Sequence, residues 1–205
     1  MEEGQLEKTV NLIFEMNQLK REYHRGFTLA GVREPDTIAE HSLRAAQIGY
    51  ILACMENERA GEEAVDAEKV ASMLIIHDNH EARVGDQHKV GARYMDIKEA
   101  ERMAFEEQIS GLGKAIEEKW KEYREEYESR ATKEGVVAKD ADWLETAFQA
   151  KEYLDLGYES AIDWIANVEK AVETQSAKEI MAVMKETPFT AWWDGLKKMT
   201  YKKLG

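Results

Sequence analysis

Residues 73–86 read MLIIHDNHEARVGD. Four apolar residues, Met73 to Ile76, run straight into His77, Asp78, Asn79, His80 and Glu81. Burying one such polar group without a partner costs roughly 2–7 kcal/mol, and an unpaired charge costs more. On a helix, Val70, Met73, Leu74, His77 and Glu81 fall at i, i+3, i+4, i+7 and i+11, one stripe that ends in an imidazole and a carboxylate. His41 opens a second stripe with Ala45, Ile48 and Leu52. Asp78 lies about 100° round the axis from His77, so both can reach one point over the wedge between them.

A divalent cation resolves the difficulty. It accepts neutral imidazole nitrogen and carboxylate oxygen together and offsets the buried charge. A nitrogen and oxygen set without cysteine suits Mn, Fe, Co, Ni or Zn better than Ca. A fourth ligand has to come from another helix, and AKDADWLETAFQA (138–150) offers two. Asp140 shares a face with Leu144 and Ala147, and Asp142 shares one with Ala138; spacing leaves both open. A lone histidine on an apolar face is more simply a satisfied core residue, the reading that fits His24 and His88.

Such side chains need rigid carriers, and the chain reads as all-α. Leu6, Val10, Ile13 and Phe14 mark a helix over 5–22. HRGFTLAGVREPD (24–36), with two glycines and a proline, reads as a loop. A second helix starts near Asp36 or Thr37, where Thr37 and Glu40 have capping-box spacing, and runs to about Glu58. A third covers roughly 67–82, with Gly85 at or just past its end. Residues 86–94 read as irregular. A charged helical segment spans 95–130, with a break near GLG (111–113) and an apolar face at Trp120, Tyr123 and Tyr127. Gly135 precedes a helix over 136–156, which Gly157 closes. Two or three shorter helices fill 158–203, with Pro188 marking a start.

The 205 residues suffice for one substantial domain. The net charge of −13 argues against a nucleic-acid backbone or an anionic membrane as partner. A small anionic ligand remains compatible, because a bound metal and a few arginines reverse the field locally. The single cysteine, Cys54, forms no internal disulfide and suits a reducing cytosol. MEEGQLEKTV lacks the regions of a signal peptide, and no apolar stretch is long enough to span a bilayer, so a cytoplasmic protein is expected. The charge runs EEKWKEYREEYESR and KKMTYKKLG read as solvated faces.

The order AEHS around His41, the doublet His77–Asp78 and a late aspartate in KDADWLE resembles the HD-domain metal-dependent phosphohydrolases. HDNHEARVGD is similar to the branch of 5′-deoxynucleotidases, which hydrolyse deoxynucleoside monophosphates to nucleoside and phosphate. That branch has a glutamate four residues after the histidine and a Gly-Asp beyond it, here Glu81, Gly85 and Asp86. The resemblance covers about 20–155 and implies a single HD-domain helical bundle over 1–205, with C-terminal helices at 158–203.

By that resemblance the metal ligands are His41, His77, Asp78 and a late aspartate. The family places the last one three residues after a lysine; Lys139 makes it Asp142 rather than Asp140. One divalent ion is implied: Mn, Co, Fe, Ni, Zn or Mg. Glu81 would be the catalytic carboxylate beside the attacking water, and Asp86 would lie near the sugar or hold the catalytic arrangement. An arginine and an aromatic residue before helix two would meet phosphate and sugar. Arg25 and Phe27 fit, with Arg33 a competitor for Arg25. The branch also implies a homodimer, to which Trp192 or Trp193 could contribute. Two departures fall around the sugar and base. The branch continues past Gly-Asp with Thr-Pro, where this chain reads GDQHKVGARY, and its aromatic is often tryptophan, here phenylalanine.

The activity implied is hydrolysis of the phosphomonoester of (deoxy)nucleoside 5′-monophosphates. Glu81 would take a proton from the water or give one to the leaving 5′ oxygen. Lys89 and Arg93 are weaker candidates for the phosphate, Arg83 reads equally as a surface residue, and His80 reads either as a support for the ligands or as exposed. Two other functions compete. One is a different HD-superfamily phosphohydrolase, a phosphodiesterase or a nucleoside triphosphate hydrolase. The diesterase would want more histidines than His80 and His88, and the triphosphate hydrolase a larger basic cradle. The other is a non-catalytic, metal-stabilised binding module.

Overall fold

The computed structural model of the protein describes residues 3–196. Helix α1 (Glu3–Met16) leads through two 3₁₀ turns, Asn17–Lys20 and Arg25–Ala30, to α2 (Ile38–Ala60). There follow α3 (Ala67–Ile76), the single-turn helices α4 (Glu81–Val84) and α5 (Lys89–Ala92), α6 (Ile97–Ile109) and α7 (Lys114–Ser129). The chain continues with α8 (Lys133–Asp155), α9 (Ile162–Ala171) and α10 (Gln175–Glu186). Among the described residues there is no strand, only an isolated antiparallel bridge between Tyr23 and Thr37. The protein is all-α.

Helices α2, α3 and α8 form the centre. Thr37 caps α2 as its spacing requires: its hydroxyl accepts from the Glu40 amide, and the Glu40 carboxylate accepts from the Thr37 amide at 2.8 Å. About three turns on, Gly49 lets α3 approach. A Cβ at that position would lie 2.4 Å from Leu74 Cδ1 and 2.9 Å from Val70 Cγ1. Close passage of these two helices is what brings the His41 and His77 rings to 5.4 Å between centroids. The main core runs from Phe27 to Met184. A second, smaller cluster of Leu12, Phe105, Ile109 and Leu112, with Met16 and Trp120 against it, ties α1 to α6 and α7.

Several boundaries differ from the sequence expectation. Helix α3 stops at Ile76, where its side chains stop being apolar. Residues 77–80 form turns, with the Asn79 amide on Ile76 O and the Glu81 amide on Asp78 O, before α4 begins. Residues 86–94 contain α5, whose cap is the His88 ring accepting from the Gly91 amide at 2.9 Å. Gly135 lies inside the first turn of α8. A Cβ there would sit 2.2 Å from the Glu126 carbonyl oxygen, so α7 and α8 pass too closely for a side chain. The break in the charged segment falls where expected, at Gly111 and Gly113, both with positive φ. Pro188 follows α10 and starts no α-helix; among the described residues after it there is only a 3₁₀ turn, Ala191–Trp193. On α1 the apolar side chains facing in are Leu12 and Met16, while Leu6, Val10, Ile13 and Phe14 are 47–75% exposed. The KKMTYKKLG run, and with it the end of the 158–203 segment, lies outside the described residues. No described helix is long and apolar enough to cross a membrane.

Candidate metal centre

His41 enters from the first turn of α2, His77 and Asp78 from the turn after α3, and Asp142 from α8. The Asp78 Oδ2 atom lies 3.0 Å from His77 Nε2 and 3.5 Å from His41 Nε2. Asp142 Oδ1 lies 3.2 Å from His41 Nε2 and 3.8 Å from His77 Nε2. Ligands at about 2.0–2.2 Å from one ion stand about 2.8–3.6 Å apart in tetrahedral or octahedral arrangement, so the four atoms have nearly the spacing such an ion imposes.

The tautomers strengthen the fit. His77 Nδ1 donates to the Leu74 carbonyl at 2.7 Å. His41 Nδ1 is in close contact with Glu145 Oε2, a carboxylate that can only accept. Both neutral rings therefore turn an Nε2 lone pair toward carboxylate oxygens, and lone pairs facing lone pairs repel. His77 Nε2 is buried with no aligned hydrogen-bond partner, although Asp78 is within 3.0 Å. A positive charge has to stand among these atoms. With none but a proton to supply it, His77 is driven up to about 9: burial opposes that charge, but Asp78 and Asp142 outweigh it. Burial likewise opposes a proton on His41, and Glu145 and Asp142 raise it well above its usual range. A divalent cation meets the same demand and leaves the rings neutral.

His41 and Asp142 are each backed by further side chains. Glu145, 1% exposed, also accepts from Arg44 Nε at 2.8 Å, and Arg44 reaches Gln149 and Glu152 at 2.6 and 2.7 Å. Asp142 offers Oδ1 to the centre, while Oδ2 accepts from Tyr127 OH at 2.6 Å and Lys139 Nζ at 3.1 Å. These partners fix ring and carboxylate orientation, as outer partners of metal ligands do. Glu145, Arg44 and Tyr127 did not emerge from sequence reasoning. The signal was there for two of them: Arg44 is i+3 from His41 and Glu145 is i+3 from Asp142, one turn behind each ligand.

The centre opens into a cleft of about 260 Å³ that Glu81, Asp86, His24, His80, Glu101 and Lys139 help to line. Glu81 Oε2 is buried without a hydrogen-bond partner. Burial, then the neighbouring Asp78 and Asp86, push its carboxyl well above the usual range. His80 is buried, and burial brings it down to about 4, so its ring is neutral. His24 is joined to Asp36 at 3.3 Å, with its ring 4.9 Å from that of His41.

Other sequence-derived candidates are placed elsewhere. Asp140 faces away from the centre: its carboxylate accepts from the Glu173 amide and from the Thr174 amide and hydroxyl, holding the start of α10. Phe27 is wholly buried between Tyr153 and Trp164 and cannot reach a sugar, because its loop is wound into a 3₁₀ turn that points the ring inward. Arg25 pairs with Glu22 at 2.8 Å, and Arg33 is exposed; neither lines the cleft. Arg83 bridges Glu15 and Glu107 on the surface. The lysine that does line the cleft is Lys139.

Comparison with known proteins agrees with this arrangement. The chain matches the family model of the HD domain over residues 16–184. It is 31% identical over 147 residues to the 5′-deoxynucleotidase HDDC2 of Dictyostelium discoideum, an alignment spanning 66% of this chain and 72% of that protein. It is 26% identical over 146 residues to the Homo sapiens protein of the same name, spanning 69% of this chain and 66% of that one. Among solved structures, a conserved hypothetical protein from Pyrococcus furiosus superposes with a TM-score of 0.74 at 30% identity, over 87% of this chain and 99% of that one. The family match runs past residue 155 to take in α9 and most of α10, beyond the segment in which the sequence motifs lie.

Proposed function

The chain belongs to the HD-domain family, and from that premise we propose that it is a divalent-metal-dependent phosphohydrolase acting on (deoxy)nucleoside 5′-monophosphates. The observation that carries the proposal is the convergence of two imidazole lone pairs and two carboxylate oxygens beside a cleft containing a partnerless, buried glutamate. The activity named for the Dictyostelium and human relatives is that of a 5′-deoxynucleotidase, and it supplies the finer substrate class.

His41, His77, Asp78 and Asp142 would hold the ion. A divalent ion there polarises a phosphoryl oxygen and makes a water-derived nucleophile available at neutral pH. The remaining work falls to the chain's own groups. Glu145 and the Leu74 carbonyl keep both Nε2 atoms free of protons. Lys139, braced by Tyr127 and Asp142, presents its ammonium to the cleft, where it attracts a non-bridging phosphate oxygen. Glu81, whose buried Oε2 has no partner, would take a proton from the water or give one to the departing 5′ oxygen. Asp86, which accepts from the Gly26 amide at 3.3 Å, holds the 24–30 loop against the mouth of the cleft.

A phosphate-release screen over nucleoside mono-, di- and triphosphates with Mn, Co and Mg tests the reading. Monophosphates are expected to be cleaved, and Asp78→Ala is expected to lose both retained metal and turnover. Release confined to triphosphates, or an Asp78→Ala protein that stays active without metal, would overturn it.

A further inference from the structure

The cleft does not end at the metal centre. His24, Asp86 and Asp142 line both it and a second cavity of about 500 Å³ between the 24–30 turn, the 86–89 stretch, α8 and α9. The two spaces therefore adjoin at these three side chains, and a molecule with one end at the centre lies next to this second one. The second cavity differs in character. Where six carboxylates line the first, Leu29, Val168 and two indoles, Trp143 and Trp164, line the second, with Asn167 and Asp163 among its polar groups.

Both indoles are held. Trp143, the residue after the ligand Asp142, has the Arg130 guanidinium 5.3 Å and the Lys139 ammonium 5.8 Å from its ring centroid. Trp164 stacks on buried Phe27 at 5.4 Å and 30°. Rigid aromatic faces beside polar groups form the kind of surface on which a heteroaromatic ring stacks while its edge is hydrogen-bonded.

We propose that this cavity is the base subsite, with Trp143 and Trp164 as its stacking walls and Asn167 among its edge contacts, so that the enzyme selects nucleotides over sugar phosphates lacking a base. The proposal rests on the phosphohydrolase reading for the position of the phosphate. The aromatic residue that meets the nucleoside thus comes from α8 and α9, with Phe27 behind Trp164 as support. Stacking on one aromatic side chain is worth about 5- to 150-fold in affinity.

The test compares deoxyadenosine 5′-monophosphate with 2-deoxyribose 5-phosphate on the Mn-loaded protein, by calorimetric binding to Glu81→Gln and by phosphate release from the wild type. The base is expected to tighten binding at least tenfold. In a Trp143→Ala background that preference should fall by about fivefold or more, and Trp143→Phe should restore most of it. Asn167→Ala, on the exposed side of α9, carries the same test should Trp143→Ala not fold, with a preference reduced at least threefold. Equal affinity for the two compounds, or a base preference undiminished in the variant that folds, overturns the subsite. If the wild type releases phosphate from neither compound while the base preference and its loss are both observed, the subsite stands and the hydrolase reading falls.

Discussion

Glu145→Gln is the most informative single substitution, because it preserves shape and changes only which atoms accept protons. In the native protein Oε2 faces His41 Nδ1, while Oε1 accepts from Arg44, and both roles need an acceptor. A glutamine has one acceptor and one donor end. If its amide oxygen turns to Arg44, its NH₂ faces His41 Nδ1. That ring must then move its proton to Nε2, which removes a metal-ligating lone pair. If the oxygen turns to His41, the NH₂ faces the guanidinium, and Arg44 keeps Gln149 and Glu152 alone. Either way His41 is less basic, since a neutral amide replaces the buried carboxylate behind it. Outer partners of this kind alter metal affinity by about 10–100-fold, or about 1.4–2.7 kcal/mol. Leaving one buried donor unpaired adds about 1–3 kcal/mol of lost fold stability. Mn or Co affinity by chelator competition, with denaturant melts of the metal-free protein alongside, reads the two effects apart. Metal affinity within twofold of wild type in a folded Glu145→Gln protein would refute the assignment of His41 Nε2 as a ligand held by Glu145.

Two further outcomes follow from the same geometry. Asp142→Ala is expected to weaken metal binding beyond the 10–100-fold range of outer partners. Asp140→Ala should leave metal binding intact and destabilise the fold by about 1–3 kcal/mol, since it frees the Glu173 and Thr174 amides; parallel metal titrations and melts distinguish the neighbours. Glu15 should confer acid lability. Burial would raise its carboxyl, but hydrogen bonds from Arg83 and Gln108 outweigh that and hold it below the ordinary value. A depressed native value means the contribution is full above the ordinary glutamate range and is lost as pH falls through the native one. Denaturant melts from pH 7 to 3 should fall less steeply in Glu15→Gln than in wild type; identical slopes would contradict this.

The four side chains that converge could be picked out from sequence because that needs only helical phase and a family motif, and both are local. His41 lies on an apolar stripe and Asp142 at a fixed step from Lys139, and the fold adds that Gly49 lets α2 and α3 pass closely enough to bring His41 to His77. What local pattern could not reveal depends on how elements pack. Phe27 and Trp164 differ little as aromatic residues in a sequence, yet one is sealed behind the other because the 3₁₀ turn rotates the loop inward. Arg25 looked free for phosphate because nothing in sequence shows that Glu22 lies beside it at 2.8 Å. The stripe Leu6, Val10, Ile13 and Phe14 was a correct reading of periodicity but a poor guide to burial: period marks a face that something could cover, and not what covers it. Even α3 ended early, because helical spacing from Val70 to Glu81 persists through a set of tight turns.

The charge of the cleft constrains how such a site can work. Six carboxylates line it, Asp78, Glu81, Asp86, Glu101, Glu128 and Asp142, against one lysine. A phosphate dianion meeting that surface alone would be repelled, the more strongly for the low polarisability of a buried site. The whole chain, at −13, offers no long-range attraction to compensate. Two features of the chain reduce the repulsion. Burial, then Asp78 and Asp86, bias Glu81 toward its protonated form, which lessens the negative charge it adds to the cleft. The two imidazoles are locked in tautomers that ask for a cation, which supplies the missing positive charge where the phosphoryl group would sit. On the proposed reading, substrate affinity and metal affinity would therefore be one coupled quantity in this cleft, whose acidic lining would repel an anion unless a cation stood among the four side chains.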